Sequence, residues 1–195
     1  ALRDLGLAAG DRVAILSENR PEWAIADFAC LSARLTDVPV YPTLPARQMQ
    51  YILRDSGARA IFVSSEAQLA KILEILGELP TLQHVILFDG GAVPEGVVAF
   101  SEFLAQGADA AARYPEWERE ARLAEPNDLA TLIYTSGTTG KPKGVMHSLG
   151  NFAWAIGAGI KRIPMAQEDR MLSYLPLAHV VERVLVEHGW LRTGK

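Results

Sequence analysis

Two hydrophobic periods alternate along this chain, and the alternation restricts it to folds assembled from strand–helix units. Val13-Ala14-Ile15-Leu16, Ala60-Ile61-Phe62-Val63, His84-Val85-Ile86-Leu87-Phe88 and the run from Leu129 to Tyr134 are short and continuously apolar, as strands covered on both faces must be. Helical periods lie between them. Asn19-Arg20-Pro21-Glu22 starts one helix, with Pro21 in its first turn and Trp23, Ala26, Phe28 and Leu31 behind it. Pro45 opens another that runs to about Arg54 and stops at Ser56-Gly57. Glu66 to Leu76 places Leu69, Ile72, Leu73 and Leu76 on one face. Further helices are predicted from Asn151 to Arg162 and from His179 to Leu191, and a strand from Asp169 to Leu175. The pattern predicts an α/β fold, a mostly parallel sheet flanked by helices, with strands around Ala14, Ile61, Ile86, Ile133 and Ser173. Val38-Pro39-Val40-Tyr41 reads as an extended piece that its prolines confine to an edge or crossing segment. Ala92 to Asn127 is the weakest stretch, with helical signal at Ser101–Gln106 and Pro115–Leu123. Ala1 to Leu7 reads as the tail of a helix, and Leu191 to Lys195 follows directly on another, so the chain is expected to be a piece of a longer protein.

Composition narrows the function classes. Hydrophobic residues are 49% and charged residues 22% of the 195, enough for a buried core and too apolar for a disordered chain. No apolar run approaches the ~18 residues of a membrane-spanning helix. Ala1-Leu2-Arg3-Asp4 carries no signal-peptide pattern. The single cysteine, Cys30, excludes an internal disulfide or a cysteine-built metal site and fits a reducing cytoplasm. A net charge of −4 argues against a general nucleic-acid binder. That charge is uneven. Leu129 to Gln167 holds Lys141, Lys143, Lys161 and Arg162 and no acid, so this window carries +4 and the remainder −8. A basic, acid-free segment in an acidic chain suits a small anion; a solvated helix end is the plainer alternative.

That window contains Thr135-Ser136-Gly137-Thr138-Thr139-Gly140-Lys141-Pro142-Lys143-Gly144. Glycines let successive backbone N–H groups converge on phosphate oxygens. Hydroxyls add donors for an anion and oxygen ligands for a hard cation. Lysines add mobile point charges. A Walker A loop fails on spacing, because Thr135 stands where its first glycine would be and Pro142 follows Lys141. An ordinary polar hairpin loop is the structural alternative. His179, after a proline turn, would by itself read as a helix cap, and His84, His147 and His188 have no evident partners. Trp23, Phe28, Trp154 and Trp190, at helical spacings, read as core.

The stretch from Tyr134 to Val145 resembles the phosphate-binding signature of adenylate-forming enzymes, the superfamily of acyl-CoA synthetases, peptide-synthetase adenylation domains and luciferases. Leu175-Pro176-Leu177-Ala178-His179-Val180-Val181-Glu182-Arg183 is similar to the next motif of long-chain fatty acyl-CoA synthetases. Asp11-Arg12-Val13-Ala14-Ile15 and Val38-Pro39-Val40-Tyr41-Pro42 resemble the N-terminal subdomain of that family. The resemblance implies part of the large N-terminal domain of an adenylate-forming enzyme, with an α/β subdomain over 1–128, the phosphate loop and the start of an acyl-pocket subdomain over 129–195, and the C-terminal domain absent. It implies that Thr135, Ser136, Gly137, Thr138, Thr139, Gly140, Lys141 and Lys143 hold the phosphates of ATP, Lys143 acting in catalysis. It puts the hydroxyl of Thr135 near Mg2+, with Thr138 as the alternative. It sets His179 at the wall between acyl pocket and nucleotide, as a catalytic position, with Val180 beside it. Some relatives have an aromatic gate four residues after that histidine, where this chain has Arg183. The implied reaction activates a long-chain fatty acid with ATP and passes the acyl group to coenzyme A. The other readings are a different adenylating ligase or a phosphate-binding module without catalysis. The resemblance is compatible with a cytoplasmic enzyme, peripheral to the inner face of the membrane, and with a homodimer. The family's ribose-binding aspartate, Thr-Glu motif and catalytic lysine have no counterpart in these residues.

Overall fold

In the computed structural model, which describes residues 1–135, 140–163, 170 and 172–193, the alternating pattern becomes a single seven-stranded sheet. The chain runs β1 (Arg12–Leu16), α1 (Pro21–Ser32), β2 (Thr36–Val40), α2 (Ala46–Ser56), β3 (Ala60–Val63), α3 (Glu66–Ile75), β4 (His84–Leu87) and β5 (Val97–Ala99). It continues through α4 (Phe100–Ala110), α5 (Trp117–Ala121), β6 (Leu129–Thr135), β7 (Lys143–Ser148), α6 (Leu149–Arg162), a π-helical turn (Glu182–Glu187) and α7 (His188–Thr193). Local chemistry sets the ends of these elements. Pro21 occupies the first turn of α1. Gly57 ends α2 in the left-handed region at φ 64°, which a residue with a Cβ adopts only under strain. The Ser65 hydroxyl accepts the Gln68 N–H at the start of α3, and Ser148 and Asn151 form a reciprocal capping box at the start of α6.

The strands lie in the order β5-β4-β3-β1-β2-β6-β7, all parallel except the β6–β7 hairpin. Side chains alternate across the sheet. Ala14, Leu16, Val38, Ile61, Val63 and Tyr134 pack on one face with α2 and α3, while Val13, Ile15, Ala60, Phe62 and Ile86 pack on the other with α1 and α4. Right-handed crossovers require this, because the chain leaves β1 toward β2 on one side and returns past it to β3 on the other. The topological switch therefore sits at β1, and the loop after Leu16 opens at the carboxyl edge where α/β sheets bind ligands.

Five sequence expectations change. β2, expected at an edge, lies inside the sheet between β1 and β6. The Thr36 N–H bonds to Asp11 on the β1 side, so by alternation Pro39 turns its missing N–H toward β6, where the only paired position is Asp37 with Thr131. A one-sided gap in the ladder is what lets proline into an interior strand. Ala1 to Leu7 forms turns rather than a helix, and the weak stretch after Ala92 contains β5 as well as α4 and α5. The expected strand from Asp169 to Leu175 is not a strand at the residues described there, 170 and 172–175. Trp154, read as core, is 76% exposed on α6, whose buried residues are Phe152 and Ile156; Trp23 is fully buried as expected. The side chain of Trp190 lies outside the described residues.

Candidate functional site

The loop singled out in the sequence joins β6 to β7. Thr135 stands opposite Lys143 in the antiparallel register, and Tyr134 opposite Gly144. The strand period aims these neighbours apart. Tyr134 packs into the core on the α2 side and donates its hydroxyl to Asp55 at 2.7 Å, whereas Thr135, one residue on, is exposed. Burial first, and then the Asp55 carboxylate, push the Tyr134 phenol well above its ordinary range, so it stays a neutral donor. Its ring also backs the returning strand, since a Cβ at Gly144 would meet it at 3.1 Å. Gly140 adopts φ 112°, again a left-handed value. Lys141 holds its ammonium 5.6 Å over the Tyr51 ring of α2. Lys143 is exposed beside Thr135 and forms no ion pair among the described residues. Ser136, Gly137, Thr138 and Thr139 lie outside the described residues. Thr135, Gly140, Lys141 and Lys143 thus bring two positive charges and one hydroxyl to the loop end of the β6–β7 hairpin. Magnesium takes several oxygen ligands, preferably phosphate and water. Thr135 fits as one of them, and a single hydroxyl is a ligand rather than a metal site.

The second motif lies at the switch point. Asn19, in the loop after β1, grips it from both sides, its side-chain amide donating to Leu175 O at 2.7 Å and its side-chain oxygen accepting from Leu177 N at 2.7 Å. A turn closed from His179 N to Pro176 O follows. The ring Nδ1 of His179 accepts the Val181 N–H at 3.2 Å, so this half-buried histidine caps the helix start, the structural role its position suggested. Val180 packs with Phe152, Ile156 and Val184 against α6. β1 and β6 are separated only by β2, which places the two motifs on one edge of the sheet, their parent strands about 10 Å apart. Sequence reasoning placed Asn19 only at a helix start and missed its grip on the second motif, which lies more than 150 residues away along the chain.

Below this edge lies a buried ionic cluster that the sequence did not disclose. Arg183 is fully buried and hydrogen-bonds to Asp27 of α1 (2.6 Å), to both oxygens of Asp37 of β2 (3.0 and 2.9 Å) and to Thr131 of β6 (2.9 Å). His188 Nε2 lies 3.2 Å from Asp27, which gives this histidine the partner it lacked in the sequence. Glu187, also buried, meets no hydrogen-bond donor among the described residues. The π-helical winding explains the gathering. Residues five apart in an α-helix diverge by roughly 140°, but the wider i→i+5 turn stacks them, so that Arg183, Glu187 and His188 all face the cluster. Asp27, Glu187 and His188 bring ligand-type atoms within 4.8 Å of one another, but the guanidinium already supplies the positive charge there.

One cation against three buried carboxyls sets their protonation. Burial opposes ionisation of Asp27, yet Arg183 and His188 outweigh it and hold its pKa below the ordinary value. Burial pushes Asp37 up to about 8, against the pull of Arg183 and with repulsion from Asp27 added. Burial and then repulsion from Asp27 push Glu187 up to about 8 as well. Asp37 and Glu187 are thus held toward the neutral form and Asp27 toward the charged one. The signals available in the sequence were two acids inside apolar runs, Asp27 beside Ala26 and Asp37 beside Val38, since a buried acid implies a buried partner. The Cys30 thiol is raised by the same burial and by Asp37 and Asp27, leaving it an inert core group. A cavity of about 280 Å³ lies against the cluster, lined by Ala130, Phe152, Ile156, Arg183 and His188 among others. No helix among the described residues is long and apolar enough to cross a membrane.

The chain is 38% identical over 188 residues to the long-chain-fatty-acid–CoA ligase FadD15 of Mycobacterium bovis, an alignment that takes in 94% of this chain and 30% of that protein. It is 35% identical over 187 residues to the peroxisomal long chain acyl-CoA synthetase 6 of Arabidopsis thaliana, covering 91% of this chain and 26% of that one. The crystal structure of a long-chain-fatty-acid-CoA ligase from Archaeoglobus fulgidus superposes with a TM-score of 0.81 over the whole of this chain and 36% of its own, at 22% identity, which establishes a shared fold. The chain thus spans from about a quarter to just over a third of the length of these three proteins. The sequence model of the AMP-binding enzyme family matches residues 1–195 from end to end, and the chain belongs to that family.

Proposed function

We propose that this chain forms the phosphate-binding and acyl-wall part of an ATP-dependent long-chain fatty acid–CoA ligase. The observation that carries the reading is the β6–β7 hairpin, which presents Thr135, Gly140, Lys141 and Lys143 at the same sheet edge as the His179 motif. In the first step a carboxylate oxygen of the fatty acid attacks the α-phosphorus of ATP in line, and pyrophosphate leaves. In the second the thiol of coenzyme A displaces AMP from the acyl-adenylate. Such displacements need positioning and neutralisation of charge more than covalent help. Lys141 and Lys143 bind the β- and γ-phosphates and stabilise the charge that develops on departing pyrophosphate, with the backbone of 136–140 as further donors. Magnesium, with Thr135 as one ligand, neutralises phosphate charge when bound. His179 and Val180 form the wall against which the acyl carboxylate is oriented.

Residues 1–128 act in this reading as the N-terminal subdomain, and 129–195 as the nucleotide-facing edge. Fatty acid, ATP and coenzyme A are its required partners. Cytoplasmic location, docking on the membrane's inner face and dimerisation are compatible with it. The test is fatty-acid-dependent ATP–pyrophosphate exchange by the full-length polypeptide, followed by acyl-CoA formation from palmitate. Exchange that ignores the fatty acid would overturn the assignment.

A further inference from the structure

We infer that Arg183 is a positioning residue that holds the strand carrying the phosphate loop in register with the segment carrying His179. The inference rests on the functional reading above. Arg183 belongs to the motif that carries His179 and bonds across to β6, and Asp37, which accepts from both Arg183 and Thr131, braces the same junction. On one side its Nη1 donates to Thr131 Oγ1 at 2.9 Å, and Thr131 in turn donates to Asp37 at 2.9 Å. Thr131 and Thr135 share a face of β6, four residues or about 13 Å apart, so the guanidinium grips the strand that ends at the phosphate site. On the other side the backbone N–H of Arg183 donates to His179 O at 3.3 Å, one helical turn back along the chain. Asp27 and Asp37 complete the fork on α1 and β2.

The guanidinium has little freedom. Its side chain is wholly inaccessible, and the rings of Trp23 and Phe152 each lie 5.3 Å from its Cζ. A planar fork fixes several directions at once, which a lysine point charge cannot do. At the position where some relatives have a gating aromatic, this chain has a buried clamp, so that kind of gate is ruled out for Arg183. Adenylation joins an atom from the acyl site to an atom at the phosphate site. An error in their spacing therefore slows the chemical step without weakening either half-site, because sub-ångström placement enters the rate directly.

The test uses the full-length enzyme, with kcat and the KM values for ATP and palmitate measured separately by pyrophosphate exchange, and folding followed by thermal unfolding. Thr131→Val removes the hydroxyl and keeps the shape; Thr131→Ser keeps the hydroxyl; Arg183→Lys keeps the charge and loses the fork. The expected result is a fall in kcat of about tenfold or more for Thr131→Val and Arg183→Lys, with both KM values within about threefold, and near-normal kcat for Thr131→Ser. Unchanged kcat per folded enzyme in Thr131→Val would overturn the inference, as would equal losses in the valine and serine variants. If Arg183→Lys fails to fold, the Thr131 pair decides alone. A wild-type enzyme without fatty-acid-dependent exchange would bring down the functional reading, and this inference with it, before any variant is compared.

Discussion

Replacing Glu187 with glutamine tests the protonation of the buried cluster. Asp37 and Glu187 both titrate near 8 in the fold, against ordinary values of 3.8 and 4.5. Between about pH 5 and 8 the native state therefore holds two protons that the unfolded chain has released, and stability falls as pH rises. Each such proton changes stability by about 1.4 kcal/mol per pH unit. From pH 6.5 to 7.5 the wild type should lose roughly 2.5 kcal/mol, somewhat less than two full protons because titration has begun. Glu187→Gln keeps the shape and removes one proton, so its slope should be about half as steep. The groups facing Glu187 are Asp27, Asp37, Arg183 and His188. His84 and His147, held low by burial, oppose the trend mainly below this window. Urea unfolding followed by tryptophan fluorescence at several pH values measures the slope; at about 2 kcal/mol per molar of urea, the wild-type midpoint should move by about 1 M across the window. Parallel pH profiles for wild type and variant would refute the argument, since Glu187 would then be ionised in both states or neutralised by a donor elsewhere.

Three further outcomes follow from single contacts. Lys143→Ala in the full-length polypeptide should lower fatty-acid-dependent pyrophosphate exchange roughly a hundredfold, as loss of a charge stabiliser does; exchange at the wild-type rate would remove this lysine from the phosphate site. Gly150→Ala would set a Cβ 2.9 Å from the Pro126 carbonyl oxygen, a backbone atom to which Gly150 N is also bonded. A destabilisation of about 1–3 kcal/mol is expected in urea unfolding, and none if the Pro126 turn simply gives way. Tyr134→Phe deletes the 2.7 Å bond to Asp55 and should cost about 1.5 kcal/mol, with an unchanged midpoint meaning that the hydroxyl adds nothing.

What the sequence determined by itself was local. The apolar runs at Val13–Leu16, Ala60–Val63 and Leu129–Tyr134 had to become strands, and Pro21 and Gly57 had to bound helices. Each of these follows from neighbours within a few residues, through dihedral preference or side-chain period. Tertiary structure decided the rest. Pro39 could enter an interior strand only because β6 supplies one rung there and leaves the next unmade. Asp27, Asp37, Thr131, Arg183 and His188, spread across most of the chain, became one site only when α1, β2, β6 and the π-wound turn were stacked together. No period announces such a meeting. Its energy depends on removing several charges from water together and balancing them against one another, and only the assembled fold can do that.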